Sequence, residues 1–424
     1  MKMGLMGRLE VFYKRIPSAL VEYIYLLAFS LVLIYDYNFL TRFDRAPFRL
    51  LYIAGAALAC VVLVIKAMNV RNEARLAVVS AFLILLIGIG YFWFRRSYYF
   101  LVLAVLIVGA THLEAKKLFF LYSLIASLFF AVMFFHYIIH NPGWSTRAAC
   151  HFGSINTTDC QAMILFIIVA FLFYRGERIR YIELLGMAAI VIWFWSHTHA
   201  EANMMCSLAG LLIAAIKKTC SILKIHFRVK TRMTIGYVIS ASFFLCAAVM
   251  IVLSIMYDPQ NTKWVMLNDA IHNRLESPHR MLGLYPPNLW GNEYVEVGRG
   301  YDPNIVFKSA ILEYGYTYID SSYPNILIKH GYLVFFLIMS VMTYVSCRFA
   351  RMGSIYKPLL LAVLALDCAV EGHLKELSCN VWMILPFADL IHEGPVVPTV
   401  FKEKLQLFKS QLSKRSGKTQ RRKP

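Results

Sequence analysis

Charge is scarce in this chain, and acidic charge is scarcest. Of 424 residues only 16% are charged, with 24 Asp and Glu against 43 Lys and Arg. A soluble chain carries about 25% charged and about 45–50% apolar residues; here the apolar share is 59%. A soluble enzyme with an ordinary wetted surface is thereby excluded. Several catalytic signatures are also missing. There is no C-x-x-C, no zinc-type Cys/His spacing, no Walker loop and no G-x-G-x-x-G after a strand, which argues against an ATP-driven or dinucleotide-dependent enzyme. The nine cysteines are scattered, most of them in or beside apolar runs, where Cys acts as a small hydrophobe. Cys150 and Cys160 share one loop and are near enough in sequence to pair in an oxidising compartment. The first apolar run lacks a small-residue cleavage site, so it reads as a retained signal-anchor. No internal repeat is visible, which weighs against a transporter built from two homologous halves.

What is present is a succession of long apolar runs, the pattern of a polytopic membrane protein. The expected fold is an all-α integral membrane bundle of about twelve spans. They are placed near 18–40, 47–65, 76–94, 97–112, 118–139, 161–174, 181–196, 203–216, 234–256, 325–347, 358–370 and 377–391. The corresponding units are spans one to nine (1–256), a large loop (257–324), spans ten to twelve (325–391) and a basic tail (392–424). The net charge of +19 does not point to nucleic acid, because Lys and Arg concentrate in alternate loops. That asymmetry is the positive-inside rule; it places both termini in the cytoplasm and the large loop outside. The tail from Lys402 to Lys423 then reads as a contact for anionic lipid. Arg95 and Arg96 break the rule in an outer loop, which suits either snorkelling or binding of an anionic substrate.

The large loop has readable local structure. Asn268 or Asp269 is suited to cap a helix with Ala270, Ile271 and Leu275 on its apolar face. Ser277-Pro278 is suited to start a second helix running to Leu284, stopped by Pro286-Pro287. At the mouth of the tenth span stand Asp320, Ser321, Ser322, Tyr323, Lys329 and His330, polar groups that are costly at a membrane and so are held by a partner or a task. Lys329 and His330 are expected to reach up to headgroups. Asp367, inside the eleventh span, requires a partner. His197, His199 and Glu201 have metal-ligand chemistry, but on one helix only the first and last share a face.

Taken together, Arg274-Leu275, Leu282, Tyr285, Leu289-Trp290-Gly291 and Asp320-Ser321-Ser322-Tyr323 with Gly331 following resemble the Wzy-type polysaccharide polymerases of capsule and O-antigen pathways. The segment RAACHFGSINTTDCQAM, which holds Arg147, looks like a divergent form of that family's earlier outer motif. The chain departs from the family pattern at Glu201, where Arg is usual, and at Asn292, where a second glycine is usual. The resemblance implies a GT-C-like membrane fold with its large extracytoplasmic loop before the last three spans. It also implies transfer of a growing glycan on undecaprenyl pyrophosphate to a single lipid-linked repeat unit, at the outer face of the cytoplasmic membrane. The donor is already activated, so neither nucleotide nor metal is implied and no cofactor is expected. Partners implied are the lipid-linked oligosaccharide, membrane lipid, and a chain-length regulator and flippase of the same pathway, with no nucleic acid. Arg274 and Arg280 are the expected pyrophosphate cations, Asp320 the expected base with His279 behind it, and Arg147, Tyr285, Trp290 and Tyr323 the expected substrate contacts. Two other classes stay open: a ligase-like glycan transferase, whose corresponding motif usually begins with His, and a flippase for the same lipid-linked oligosaccharide.

Overall fold

The computed structural model describes residues 17–37, 48–68, 75–140, 152–154, 156–225, 228–294, 296 and 317–390. Arg147, Cys150 and the basic tail lie outside these residues. The described chain is helical, without strands, and nine of its helical segments are long and apolar enough to cross a membrane. Many of their large apolar side chains face outward, among them Leu50, Leu76, Phe82, Val132, Ile182, Leu185 and Val238. A surface this apolar is stable only against lipid. The protein is a polytopic membrane protein.

The helices are α1 (Ser18–Tyr37), α2 (Arg49–Ala67), α3 (Arg75–Arg95), α4 (Tyr99–Gly109), α5 (Ala115–His140), α6 (Thr157–Arg175), α7 (Tyr181–Thr198) and α8 (Glu201–Ile222). They continue as α9 (Val229–Ser240) and α10 (Ser242–Met256), which form one span, and the loop helices α11 (Thr262–Ala270) and α12 (Glu276–Leu284). The last are α13 (Ser322–Asn325), α14 (Gly331–Arg351) and α15 (Tyr356–Val370). Successive spans run antiparallel, so Tyr37, Arg95, Thr198, Met256 and Val370 share one end of the bundle with the large loop. This is termed the loop end.

The run at 377–391, expected as a twelfth helix, is not one over its described residues, 377–390. After α15 the chain turns at the loop end and returns to the opposite end as turns and a single 3-10 turn, Val381–Ile384. Non-helical backbone at membrane depth is tolerated only where protein satisfies it, and here protein does. Tyr99 Oη donates to Lys375 O (2.8 Å) and accepts from Leu377 N (2.9 Å). Asp36 Oδ2 accepts from Ser378 N (2.6 Å), and Arg348 donates to Leu385 O (3.0 Å) and Pro386 O (2.7 Å). Asp389 exchanges backbone bonds with Leu113 and Ala115. Midway, the fully buried Trp382 packs among Phe119, Phe166 and Phe173. The return is therefore the axis of the bundle core.

The tenth span is also interrupted. Pro324 falls in the first turn of α13, where its missing N–H costs nothing, but a π-helical turn, Ile326–His330, then separates α13 from α14. Such a break frees backbone donors, and the large loop fills the gap. Tyr332 N donates to Asn288 O (2.9 Å), Leu333 N to Leu289 O (3.3 Å), and Asn292 N to Ile328 O (3.0 Å). Two glycines allow the approach. Gly291 (φ 81°) and Gly331 (φ 83°) lie backbone to backbone, and a Cβ on either would strike the other chain segment.

Two mouth residues are corrected. Lys329 pairs with Glu296 rather than with headgroups. His330 is buried, with Tyr91 Oη 2.6 Å from its Nδ1. Arg95 turns back onto the protein: it donates to Asn292 O (2.7 Å) and pairs with Glu293 (3.4 Å), fastening the loop to α3. Asp367 finds its partner in Asn203 of α8 (2.8 Å). His197 lies in the last turn of α7 and Glu201 opens α8, so the two do not share a helix face.

Candidate functional site

Arg274 sits in the turn between α11 and α12. His272 and Asn273 take left-handed backbone (φ 54° and 62°), so α11 ends at Ala270 instead of beginning near Asn268. Asn261 caps α11 by accepting from Lys263 N. Asn268 caps the next helix across the turn: its Oδ1 accepts from Leu275 N (2.9 Å) and Glu276 N (3.2 Å). Ser277, expected to cap α12, instead donates to Tyr318 O (2.8 Å) and ties the helix to the segment before Asp320.

The Asp320-Ser321-Ser322-Tyr323 stretch is stapled to the end of α15. Ser322 N and Oγ both donate to Glu371 O, Ser322 Oγ accepts from Leu374 N, and Tyr323 Oη donates to Ala365 O (2.7 Å). These bonds bring Asp320 and Glu371 to one place, and Arg274 lies between them. Its guanidinium donates to Asp320 Oδ2 (2.6 Å) and to Glu371 Oε1 (3.1 Å). The three side chains are 16%, 21% and 7% exposed. Burial pushes the Glu371 carboxyl up to about 7, against the pull of Arg274. Glu371 was missed in the sequence: it is one acid just past an apolar run, and only the fold sets it beside Arg274.

In front of this triad is a cleft of about 350 Å³ lined by His272, Asn273, Arg274, Glu276, Ser277, Arg280 and Asp320. That is at the small end of the ~300–1,000 Å³ of ligand sites. Arg280 is exposed and makes no ion pair among the described residues. The cleft thus offers one exposed guanidinium, one clamped guanidinium and a carboxylate.

The other expected site residues stand elsewhere. His279 Nδ1 lies 3.0 Å from Ser254 O and its ring packs edge-on against Tyr257, so it faces α10. Trp290 stacks on Phe94 (4.9 Å) and covers Gly90 of α3, as a dock for the loop. Tyr285 stacks on Tyr294 (5.0 Å). Tyr323 is fully buried. Beside Tyr294, Glu296 is held below its usual range: burial works against its charge, but Lys375 and Lys329 outweigh it. No protein-family model, curated protein or solved structure matches the chain.

Proposed function

We propose that the chain is a polysaccharide polymerase acting on undecaprenyl-pyrophosphate-linked repeat units, in a membrane fold of twelve crossings whose last is the non-helical return, with the loop end facing outward. The observation that carries the reading is the convergence of Arg274, Arg280 and Asp320, from two distant parts of the sequence, on one cleft at the loop end of the bundle. In this reading the pyrophosphate of the donor lies against Arg280, whose planar fork matches phosphate oxygens. Arg274, spent on two carboxylates, holds Asp320 in position more than it holds phosphate. Asp320 accepts the proton of the acceptor sugar hydroxyl as that oxygen attacks the anomeric carbon. The bond from that carbon to the phosphate oxygen breaks, and undecaprenyl pyrophosphate leaves with the electron pair. Positive charge fixed where negative charge develops stabilises the departure.

The test is polymer formation from purified lipid-linked repeat units in detergent, alongside binding of the same substrate. Asp320→Asn should lower turnover by about 10²- to 10⁴-fold, the usual contribution of a positioned base, with substrate binding retained. Near-normal turnover by this variant would remove Asp320 from the chemistry.

A further inference from the structure

A second cluster of reactive side chains lies behind the cleft, in the bundle interior, and the polymerase reading does not use it. The non-helical return begins with His373, Glu376 and Cys379, which are 2%, 7% and 0% exposed. Consecutive tight turns link them: Glu376 N donates to His373 O (3.2 Å) and Cys379 N to Glu376 O (3.1 Å). A three-residue turn repeat eclipses side chains at i and i+3, so imidazole, carboxylate and thiol stack on one side. One donor atom from each lies within 4.8 Å of the others. Asn380 fixes the backbone around them, with its N donating to Glu376 O (2.8 Å) and its Nδ2 to Leu374 O (2.7 Å).

From these positions we infer that His373 Nδ1, Glu376 and Cys379 bind a divalent transition-metal ion of the zinc type, with Asp159 orienting the histidine. Three observations separate this from a buried ion pair. First, Glu376 Oε2 lies 3.6 Å from His373 Nδ1 and Asp159 Oδ1 lies 3.6 Å from Nε2. Neither ring nitrogen comes within hydrogen-bonding distance of a carboxylate oxygen, although burial makes such a bond valuable. Second, the donors are nearly at ligand spacing. Zinc bonds of ~2.0–2.3 Å set donors about 3.3–3.8 Å apart in a tetrahedron, so closure requires movements of about 1 Å. Third, a thiol adds nothing to an ion pair, whereas sulfur, imidazole and carboxylate together form a zinc-type donor set.

Asp159 completes the arrangement. It stands in the first turn of α6, whose cap Asn156 accepts from Asp159 N (2.6 Å). With Nδ1 on the metal, Nε2 keeps its proton and turns it toward Asp159, the carboxylate–histidine–metal arrangement that fixes a ligand ring. Binding releases the Cys379 thiol proton to solvent. The thiolate and Glu376 then neutralise the dication, and one water carried in with the ion fills the fourth tetrahedral position. The metal ties the non-helical return to α6, a structural role that holds whether or not the polymerase reading does.

The experiment uses the full chain, purified in detergent through a histidine-free tag. Elemental analysis should find one zinc per chain. Cobalt exchanged into the wild-type protein should show thiolate-to-cobalt charge-transfer absorption, which Cys379→Ser should abolish. The wild-type measurements decide the matter even where the variant does not fold. Folded wild-type protein that carries far less than one metal per chain and takes up neither zinc nor cobalt on titration would overturn the proposal. So would a cobalt spectrum with no thiolate band.

Discussion

At the scale of single residues, the two arginines of the cleft are not equivalent, although sequence reading treats them alike. Arg274 is partly buried between Asp320 and Glu371, while Arg280 is exposed. Removing Arg274 leaves two carboxylates facing each other in a half-buried site. Breaking a fully buried pair costs about 3–5 kcal/mol; with its partial exposure, Arg274→Ala should cost about 2–3 kcal/mol and lower the melting temperature in detergent. Arg280→Ala should leave melting unchanged and abolish long glycan, with Arg280→Lys restoring part of it because a point charge lacks the fork. Equal destabilisation by both alanine variants would contradict the difference in their surroundings. Arg274, Arg280 and Asp320 stand out in the sequence as polar groups beside apolar runs, and they line one cleft. The sequence hid Glu371, which meets Arg274 from 97 residues away in the chain. His279, Trp290 and Tyr323 pack away from that cleft, and the sequence does not show this because aromatic and imidazole side chains serve packing and substrate contact with the same chemistry.

At the scale of elements, the legible part is the run of apolar helices, since hydropathy over a span is a local property. The illegible part is wherever backbone is satisfied from a distance. The segment 377–391 is apolar enough to be taken for a span, yet Tyr99, Asp36 and Arg348 on other helices bind its backbone and remove the need for an internal ladder. The π turn at Ile326–His330 is hidden in the same way, because its freed donors are met by the Asn288 and Leu289 carbonyls. The loop-to-span clip makes this testable. Gly331 combines φ 83° with ψ 174°, a region essentially reserved to glycine and costing other residues about 1–3 kcal/mol. Gly331→Ala should therefore destabilise by at least about 2 kcal/mol, from backbone strain together with the clash against Gly291. Gly291→Ala should do likewise, and the double variant should cost less than the sum because one displaced contact is shared. Strict additivity in detergent melting would show that the two glycines do not form one clip.

At the scale of the whole molecule, the arrangement has a direction. At the clefted loop end bases are matched by acids, Arg95 by Glu293, Arg274 by Asp320 and Glu371, and Lys329 by Glu296, with Arg280 exposed; the opposite end carries Lys66, Lys117, Arg175, Lys218 and Arg348, each bonded to a backbone carbonyl or an acid there, and Lys and Arg concentrate in the loops of that end. Basic loops stay on the cytoplasmic side, so the cleft should face outward, where a lipid-linked glycan would meet it. Thr231, near the start of α9, and Gln260, just before α11, are both exposed and lie at opposite ends of the same span. In intact cells, a membrane-impermeant maleimide should label Gln260→Cys and spare Thr231→Cys, with both labelled after the membrane is opened. Labelling of Thr231→Cys alone would turn the molecule over and put the cleft in the cytoplasm. An outward-acting polymerase would then be untenable, while the Arg274–Asp320–Glu371 geometry would stand. Labelling of both sites in intact cells would mean that α9 and α10 do not make the crossing assigned to them, since a single span cannot present both its ends to one compartment.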